Sequence, residues 1–378
     1  MTDTSTDGAP PPSSSRKPTR RPPLPPQPDG MAWPTDTWPT SDPADDVDAD
    51  RLTSLVQRGF GPDPEAATAD NLALVVIHRG RLVTEAYGPN TASDDTLISW
   101  SMGKSITQAL VGLLTLDGLI DVDQPADVAR WADDDRRTIT TRDLLRMTSG
   151  LEFVEDYVDD QISHVIEMLF GAGRGDVAGY AESFPLLHAP GTTFSYSSGT
   201  TNIIAALCGR LIAGTPGRPA VSSDADAVRG YLDRRLFGPI GMSSAIPKFD
   251  DAGTFIGSSF VYATAQDFAR FGYLYLRDGV WDGERLLPVG WVDAARTPVD
   301  PHVDEEHWYG EHWWLWPDDT AAFACQGYEG QRIVVVPERD LVIVRLGKTD
   351  ASRSSHVNAW LTEIIGCFPT IDAPIGAR

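Results

Sequence analysis

The sequence predicts an α/β fold in which one antiparallel sheet is flanked by helices and carries an inserted, mostly helical subdomain. Two pairs of strand-like segments support this prediction. LALVVIH (72–78) and RLVTEAY (81–87) flank a turn at Gly80 and are typical of a strand hairpin. RIVVVP (332–337) and LVIVRL (341–346) form a second pair near the other end of the chain. Because the sequence between the two pairs is mainly helical, we expect both ends of the chain to build one sheet.

The first part of the chain differs in composition from the rest. Residues 1 to about 50 are rich in proline, serine, threonine and aspartate, and we expect a disordered arm there. Such a composition buries too little apolar surface to offset the entropy lost on folding. The repeat WPTDTWPT is the place where the arm could begin to dock. The folded domain is predicted over residues 51–378, with its helical subdomain at about 121–245.

Helical patterns fill the middle of the chain. They are, in order, the run from Ser101 to Gly118, TTRDLLRMTSG (140–150), TNIIAALCGRLIAG (201–214), DAVRGYLDRRLFGPIGM (226–242) and ATAQDFARFGYLYLRDG (263–279). Thr264 is predicted to cap the last of these helices, with Asp267 three residues later. The chain returns to strands at EHWWLW (311–316) and closes with the helix HVNAWLTEII (356–365).

The overall composition is ordinary for a globular protein except in its charge. The chain has 378 residues, of which 41% are hydrophobic and 22% charged, and a net charge of −23. An acidic surface repels nucleic-acid phosphates and anionic lipids, so we expect neither nucleic acid nor a membrane as a partner. The arm carries a small basic group that does not outweigh this acidic body. It consists of Arg16, Lys17, Arg20 and Arg21.

The cysteines and the apolar segments predict a cytoplasmic protein. Cys208, Cys325 and Cys367 are odd in number and far apart, which argues against a disulfide framework. The sequence has no apolar run long enough to span a membrane and no apolar core of a secretory signal. The oligomeric state is left open by the sequence.

The most informative motif is Ser101-Met102-Gly103-Lys104 at the start of an apolar helical run. Positions i and i+3 share one face of a helix, so the Ser101 hydroxyl and the Lys104 amine can point into one pocket. Serine needs an adjacent base to become a nucleophile. Burial lowers the pKa of a lysine and allows its amine to be that base.

Two other interpretations of this motif are a phosphate-binding loop and a simple helix cap. Gly103-Lys104-Ser105 resembles the end of a phosphate-binding loop, but that loop needs a glycine where this chain has Ile98. A serine that caps a helix start is as good an interpretation of Ser101 from spacing alone. The same SxxK spacing recurs at residues 14–17 in the arm, where nothing could desolvate the lysine.

Two further segments are candidate parts of a site. Tyr196-Ser197-Ser198 lies in a turn-rich segment ahead of a helix, where the phenol could relay protons and Ser198 could hydrogen-bond a lysine. Packing of the tyrosine in a loop is an equally good interpretation. Residues 325–331 are glycine-rich and lead into a strand, which allows a substrate to approach the backbone closely. Cys325 in this segment has no histidine placed in sequence to activate it.

Three histidines near residue 307 are candidate metal ligands. His302, His307 and His312 are five residues apart, a spacing that suits neither one helical face nor one strand face. We therefore predict no metal site. We interpret this part of the chain as a loop that lines a pocket. Its acidic residues and tryptophans are Asp304, Glu305, Glu306, Glu311, Trp308, Trp313, Trp314 and Trp316.

The order of a helical SxxK, a central YxS and a late Gly-x-x-Gly strand resembles the serine β-lactamase and penicillin-binding-protein superfamily, in its class C-like branch. The sequence looks most like the 6-aminohexanoate-dimer hydrolase and esterase group. Connecting segments extend the resemblance over residues 55 to 368. They include LFGPIGM and GQRIVVVPERDLVIV. The resemblance implies a β-lactamase/D,D-peptidase-like fold.

The resemblance also implies roles for individual residues. Ser101 would be the acylated nucleophile, Lys104 its proton acceptor and Tyr196 the proton shuttle. The N–H groups of Ser101 and Tyr328 would form the oxyanion hole. Ser198 stands where class C enzymes usually have asparagine, and the dimer-hydrolase group has serine there.

The substrate-binding residues depart from the class C pattern. Where class C enzymes have Lys-Thr-Gly, this chain has Cys325-Gln326-Gly327, so the usual lysine partner of a substrate carboxylate is missing. We therefore expect neutral esters or amides, with Ser198, Gln326 and Gly327 in contact with them. Tyr157 in GLEFVEDYVDD would lie over the site. The acidic residue that some dimer hydrolases place eleven positions later is replaced by Met168, so nylon-oligomer activity is not implied.

The function predicted from these observations is hydrolysis of a small carboxylic ester or amide through an acyl-enzyme, without a cofactor. One alternative within the superfamily is a β-lactamase or D,D-peptidase, which nitrocefin turnover would reveal. A second alternative, from a different class, is a non-catalytic ligand-binding relative, which a fluorophosphonate probe would fail to label.

Overall fold

A computed structural model describes residues 20–61, 70–155, 163–214, 220–300, 308–316 and 320–371. The α-helices in these ranges are α1 (Ala49–Phe60), α2 (Gly103–Leu116), α3 (Thr141–Leu145), α4 (His164–Phe170), α5 (Val177–Glu182), α6 (Ser198–Ala213), α7 (Ala225–Leu232), α8 (Ala265–Leu276), α9 (Trp291–Ala295) and α10 (Ser354–Ile365). The strands are β1 (Asn71–His78), β2 (Arg81–Tyr87), β3 (Leu97–Ile98), β4 (Ile246–Pro247), β5 (Val261–Ala263), β6 (Val280–Trp281), β7 (Glu284–Arg285), β8 (Trp308–Tyr309), β9 (Trp314–Leu315), β10 (Phe323–Gly327), β11 (Gln331–Val336) and β12 (Leu341–Gly347).

The main sheet joins the two ends of the chain, as predicted. Its seven strands follow the order β2-β1-β12-β11-β10-β9-β8. Strand β1 pairs antiparallel with β12, so that His78 faces Leu341 across the ladder. The hairpin of β1 and β2 and the pair of β11 and β12 are both confirmed.

The sheet is covered by helices on both faces. Successive side chains of a strand point to opposite faces, so Val75 packs in a core with α2 and α8, and Val76 packs in a second core with α1 and α10. Burial of one such side chain contributes roughly 1.5–3 kcal/mol to stability. Two buried faces explain why the strand sequences are continuous apolar runs rather than alternating ones.

The helical insertion lies between β3 and β4, and it contains α3 to α7. Helix α6 packs against α2, so the insertion and the sheet meet along these two helices. A short second sheet of order β3-β5-β4 runs beside the start of α2. It is tied there by a hydrogen bond of 2.8 Å from Ser99 N to the Val261 carbonyl.

The described part of the N-terminal arm differs from the expectation of disorder. Residues 20–48 run along the helix-covered body, and the Trp38 side chain is only 5% exposed there. The buried Arg270 of α8 donates to the Pro34 carbonyl at 2.7 Å. The segment is held in place because it buries a tryptophan and because its carbonyls accept hydrogen bonds from buried arginines. The average composition of residues 1–50 does not reveal such contacts. Residues 1–19 lie outside the described ranges.

The predicted strand over residues 311–316 is shorter in the structure. Only Trp314–Leu315 is extended, and it pairs with Trp308–Tyr309. His312 has a φ of 58°. A residue in the left-handed region cannot continue an extended strand, which explains the difference. Among the described helices, none is both long and apolar enough to cross a membrane.

Candidate active site

Ser101 and Lys104 lie at the junction of a short turn and a buried helix. Ser101 is in the 3₁₀ turn Trp100–Met102, which runs directly into α2. Lys104 is in the first turn of α2, and its Nζ donates to Ser101 Oγ at 3.0 Å. The expected approach of the two groups is therefore present in the structure.

The Lys104 amine is enclosed by protein. Lys104 is only 1% exposed to solvent. Besides Ser101, Nζ donates to Ser198 Oγ at 2.8 Å and to the Ser258 carbonyl at 3.1 Å. Burial lowers the pKa of Lys104 to about 8, and the negative charge of Glu155 opposes this fall. Near pH 8 about half of the amine is neutral and can accept a proton.

A glycine allows α2 to start where it does. A Cβ atom on Gly103 would lie 2.8 Å from the Gly257 carbonyl oxygen. A larger residue would push the first turn of the helix away from the segment that contains Ser258. The close approach keeps the Ser258 carbonyl within reach of Lys104 Nζ.

Tyr196 lies beside both the serine and the lysine. Its half-buried side chain hydrogen-bonds Ser101, and Lys104 Nζ is 4.9 Å from the centre of its ring. Burial and the charge of Glu155 raise the pKa of the phenol, while hydrogen bonds to Ser101 and Trp314 oppose the rise. The phenol is therefore protonated at neutral pH, and it can donate a proton to a group next to Ser101.

Glu155 is a member of the site that the sequence reasoning missed. Its Oε1 accepts from Ser198 Oγ at 2.6 Å and its Oε2 from Ser198 N at 2.7 Å. Because Ser198 also accepts from Lys104, the three side chains form one hydrogen-bonded row. Ser198 is fully buried and absent from the cavity wall, so its position favours contact with Lys104 rather than with substrate. Glu155 lies in the segment GLEFVEDYVDD, which could have indicated it.

The other wall of the site comes from the end of β10. A cavity of about 220 Å³ is lined by Ser101 and Tyr196 and also by the predicted residues Gln326, Gly327 and Tyr328. A Cβ atom on Gly327 would lie 2.4 Å from the Ser99 carbonyl oxygen. The bare backbone of Gly327 thus lets the Tyr328 turn lie beside the Ser101 turn.

The remaining candidate residues have other positions. Tyr157 lies outside the described residues, as do His302 and His307. His312 is buried beneath the site, where its ring contacts Thr201 Oγ1 at 3.0 Å and the Leu145 carbonyl at 2.8 Å. Both ring nitrogens of His312 are thereby occupied. Within the described residues, no cluster of three or more metal-ligating side chains is found.

Cys325 is next to the cavity, but its thiol is expected to be unreactive. The residue is 1% exposed. Burial raises the pKa of its thiol well above the usual value, against a smaller opposing hydrogen bond from Ser105. A buried thiol with a raised pKa is a poor nucleophile.

Comparisons with known proteins agree with the fold. Residues 57–365 match the profile of the family described as Beta-lactamase. The architecture and this match define a hydrolase of the β-lactamase fold. The chain belongs to the Beta-lactamase family.

Individual relatives place the chain near one group of that family. The 6-aminohexanoate-dimer hydrolase of Paenarthrobacter ureafaciens is 28% identical over 329 residues, which cover 82% of this chain and 79% of the relative. A Bacillus anthracis structure provisionally named as a 6-aminohexanoate-dimer hydrolase superposes with a TM-score of 0.68 at 20% identity, over 90% of this chain and 88% of the other. A class C β-lactamase in complex with cefoxitin has a TM-score of 0.61 at 13% identity, over 85% and 99% of the two chains.

Proposed function

We propose that this protein hydrolyses small carboxylic esters or amides through an acyl-enzyme formed on Ser101. One observation carries the proposal. A fully buried lysine with a pKa lowered to about 8 lies 3.0 Å from a serine hydroxyl that lines a cavity. A neutral amine in this position can take the proton of the serine as its oxygen attacks a carbonyl carbon.

The proposed reaction uses each neighbour in turn. Lys104 accepts the Ser101 proton while Oγ bonds to the carbonyl carbon and the carbonyl oxygen becomes an oxyanion. The N–H groups of Ser101 and Tyr328 would stabilise that oxyanion. Tyr196 would give its proton to the leaving alkoxide or amine and take the proton held by Lys104 in return, so that the neutral amine is restored. The pair would then help a water molecule to attack the acyl-enzyme. The water releases the carboxylic acid and restores the serine.

The test is a fluorophosphonate probe together with a panel of p-nitrophenyl esters and anilides. We expect covalent labelling at Ser101, identified by peptide mass spectrometry, and turnover of short-chain esters. Failure of the probe to label the folded protein would favour a non-catalytic relative. Nitrocefin turnover comparable to that of the esters would instead favour a β-lactamase.

The substrate of the Paenarthrobacter relative is not carried over to this chain. Position 168, where the resemblance to some dimer hydrolases implies an acidic residue, is a methionine that is fully buried. Such a side chain offers no negative charge to a substrate ammonium group.

Glu155 is expected to set the pH range of activity. The base form of Lys104 is the active one, so the rate of acylation should rise with pH and show an inflection near pH 8. The Glu155 carboxylate stabilises the ammonium form, and Glu155→Gln removes that charge while keeping an acceptor for Ser198. The pKa of Lys104 should therefore fall, and the rising limb should move to lower pH. Probe-labelling rates between pH 6 and 10 would measure this shift (a range of roughly two units on either side of the inflection).

A limb that stays in place in Glu155→Gln would show that the carboxylate has no electrostatic influence on the lysine. Glu363→Gln is the matched control because Glu363 pairs with Arg58 on the surface, and its helix α10 packs on the opposite face of the sheet from α2. This control should keep the wild-type pH profile.

Gly327→Ala is expected to slow acylation without loss of the fold. The added methyl group would meet the Ser99 carbonyl oxygen at 2.4 Å and push the Tyr328 turn away from Ser101. Displacing one oxyanion donor typically costs about 10²–10³ in rate. Single-turnover kinetics with an activated ester would measure the loss, and Gly283→Ala, at a glycine whose added Cβ meets nothing within 4 Å, controls for a simple Gly→Ala change. Gly283 has a φ of 80°, so this control is expected to lose some stability but no activity.

A further inference from the structure

His312 is a buried histidine beside the candidate active site that the proposed reaction does not use. It is 2% exposed. Its φ of 58° lies in the left-handed region, where a residue other than glycine is strained. Strain of this kind persists only where the surrounding contacts hold the residue in place. The contacts of His312 therefore indicate what the strained position achieves.

The hydrogen bonds of the His312 ring fix its tautomer. Nδ1 is 2.8 Å from the Leu145 carbonyl oxygen, which can only accept, so Nδ1 carries the hydrogen. Burial and the charge of Lys104 lower the pKa of His312 to about 3, against an opposing hydrogen bond to Leu145, so the ring is neutral at neutral pH. Nε2 therefore has no hydrogen, and it accepts from Thr201 Oγ1 at 3.0 Å.

The bond from Thr201 places His312 against the start of α6. Thr201 is fully buried and lies three residues after Ser198, the first residue of the helix. Side chains three residues apart share one face of a helix. The His312 ring therefore supports the first turn of α6, which begins two residues after Tyr196.

The segment that contains His312 reaches the same region a second time through Trp314. Trp314 lines the cavity and hydrogen-bonds Tyr196, and the centres of their rings are 5.3 Å apart. An indole can only donate, so the phenol oxygen accepts this bond and keeps its own hydrogen for another group. The segment is thus joined to the chain on both sides of Ser198, through Tyr196 before it and Thr201 after it.

We propose that His312 is a positioning residue that fixes the Tyr196 phenol for proton donation to the leaving group. This inference depends on the proposed acyl transfer. The bond from Thr201 to His312 holds the segment with Trp314 against α6, and the Trp314 indole then holds the phenol oxygen. Without the bond from Thr201, the phenol should lie away from the leaving group.

The nucleophile and its base do not need this bond. Ser101 and Lys104 contact each other at 3.0 Å within one short stretch at the start of α2. Loss of the bond to His312 should therefore impair proton donation by Tyr196 much more than attack by Ser101.

The experiment compares two esters of one acid that differ in their need for a proton donor. p-Nitrophenyl butyrate releases a stable phenolate, whereas the alkoxide of ethyl butyrate must take the Tyr196 proton as its bond to the carbonyl carbon breaks. Thr201→Val keeps the shape of the side chain but removes the hydroxyl. It should lower kcat/KM for ethyl butyrate by about 10²-fold, the usual cost of a misplaced catalytic group. The value for the p-nitrophenyl ester and the rate of fluorophosphonate labelling should stay close to wild type.

Three further variants separate positioning from stability. Thr201→Ser keeps the hydroxyl and should keep the wild-type ratio of the two esters. His312→Asn keeps an N–H for Leu145 and tolerates the left-handed conformation, but it has no acceptor at the place of Nε2. It should reproduce the effect of Thr201→Val, and the double variant should lose no more than either single one. Thr200→Val is the matched control, because the hydroxyl of this buried neighbour donates to the Ser197 carbonyl at 2.8 Å and not to His312. It should keep the wild-type ratio.

Equal losses with both esters in Thr201→Val and His312→Asn would overturn the proposal, since a destabilised protein loses activity toward every substrate alike. An unchanged ratio in these two variants would also overturn it and would leave acyl transfer at Ser101 standing. A wild type that hydrolyses neither ester and takes up no probe would refute acyl transfer itself, and the positioning role with it.

Discussion

Replacing Ser101 by alanine is expected to abolish both turnover and covalent labelling. Alanine removes the oxygen that forms the acyl bond, and no other described hydroxyl of the cavity wall accepts a hydrogen bond from Lys104 Nζ. Loss of a nucleophile of this type typically lowers kcat by about 10⁴–10⁶. Labelling by a fluorophosphonate probe and steady-state hydrolysis of a p-nitrophenyl ester would measure the two losses.

The fold should survive this substitution because Ser101 is half-buried and lies in a short turn before α2. Ser105→Ala is the matched control on the same helix. It removes a hydrogen bond of 2.7 Å to the His312 carbonyl and should lower stability by about 1 kcal/mol without loss of labelling. Wild-type turnover by a folded Ser101→Ala protein would refute the assignment of Ser101 as nucleophile.

The sheet and its main helices could be predicted because the sequence patterns that identify strands and helices lie within each element. The apolar runs of β1 and β12 are long enough to identify strands without knowledge of their partners. The contact of Ser101 with Lys104 was also local, since it follows from a spacing of three residues near a helix start. The resemblance to a known superfamily then supplied Tyr196 and the end of β10, which no local signal connects to Ser101.

The rest of the site arises from contacts between distant segments. The Ser258 carbonyl contacts Lys104 directly, and Glu155 is linked to Lys104 through Ser198. Both residues are distant from Lys104 in sequence, so no spacing rule predicts that they lie near its amine.

Composition also misled the sequence-based expectation at one place. The proline-rich arm was expected to be disordered to about residue 50, but its part after residue 19 is fixed by single strong contacts. Trp38 buries its ring against the body, where its edge lies near Tyr273 with ring centres 5.4 Å apart. A few anchoring residues of this kind can order a segment whose average composition favours disorder.

Lys104→Met is expected to slow acylation by about 10²–10⁴, the usual contribution of a general base. Methionine has a similar length and tolerates the buried position, but it has no amine to accept the Ser101 proton. The wild-type rate should rise with pH through an inflection near pH 8. The variant rate should lose that inflection. Labelling rates measured across the same pH range would test both expectations.

Lys104→Arg distinguishes proton transfer from charge. A guanidinium keeps the positive charge near Ser101 but cannot be deprotonated in a protein, so it cannot serve as the base. If Lys104 acted only by its charge, this variant would label at close to the wild-type rate while Lys104→Met would not. Equal losses in both variants, with labelling unaffected in the exposed Lys348→Met control, would indicate that the neutral amine is what the reaction requires. Near-normal labelling in both variants would exclude Lys104 as the base, and the buried amine would then have only a structural role.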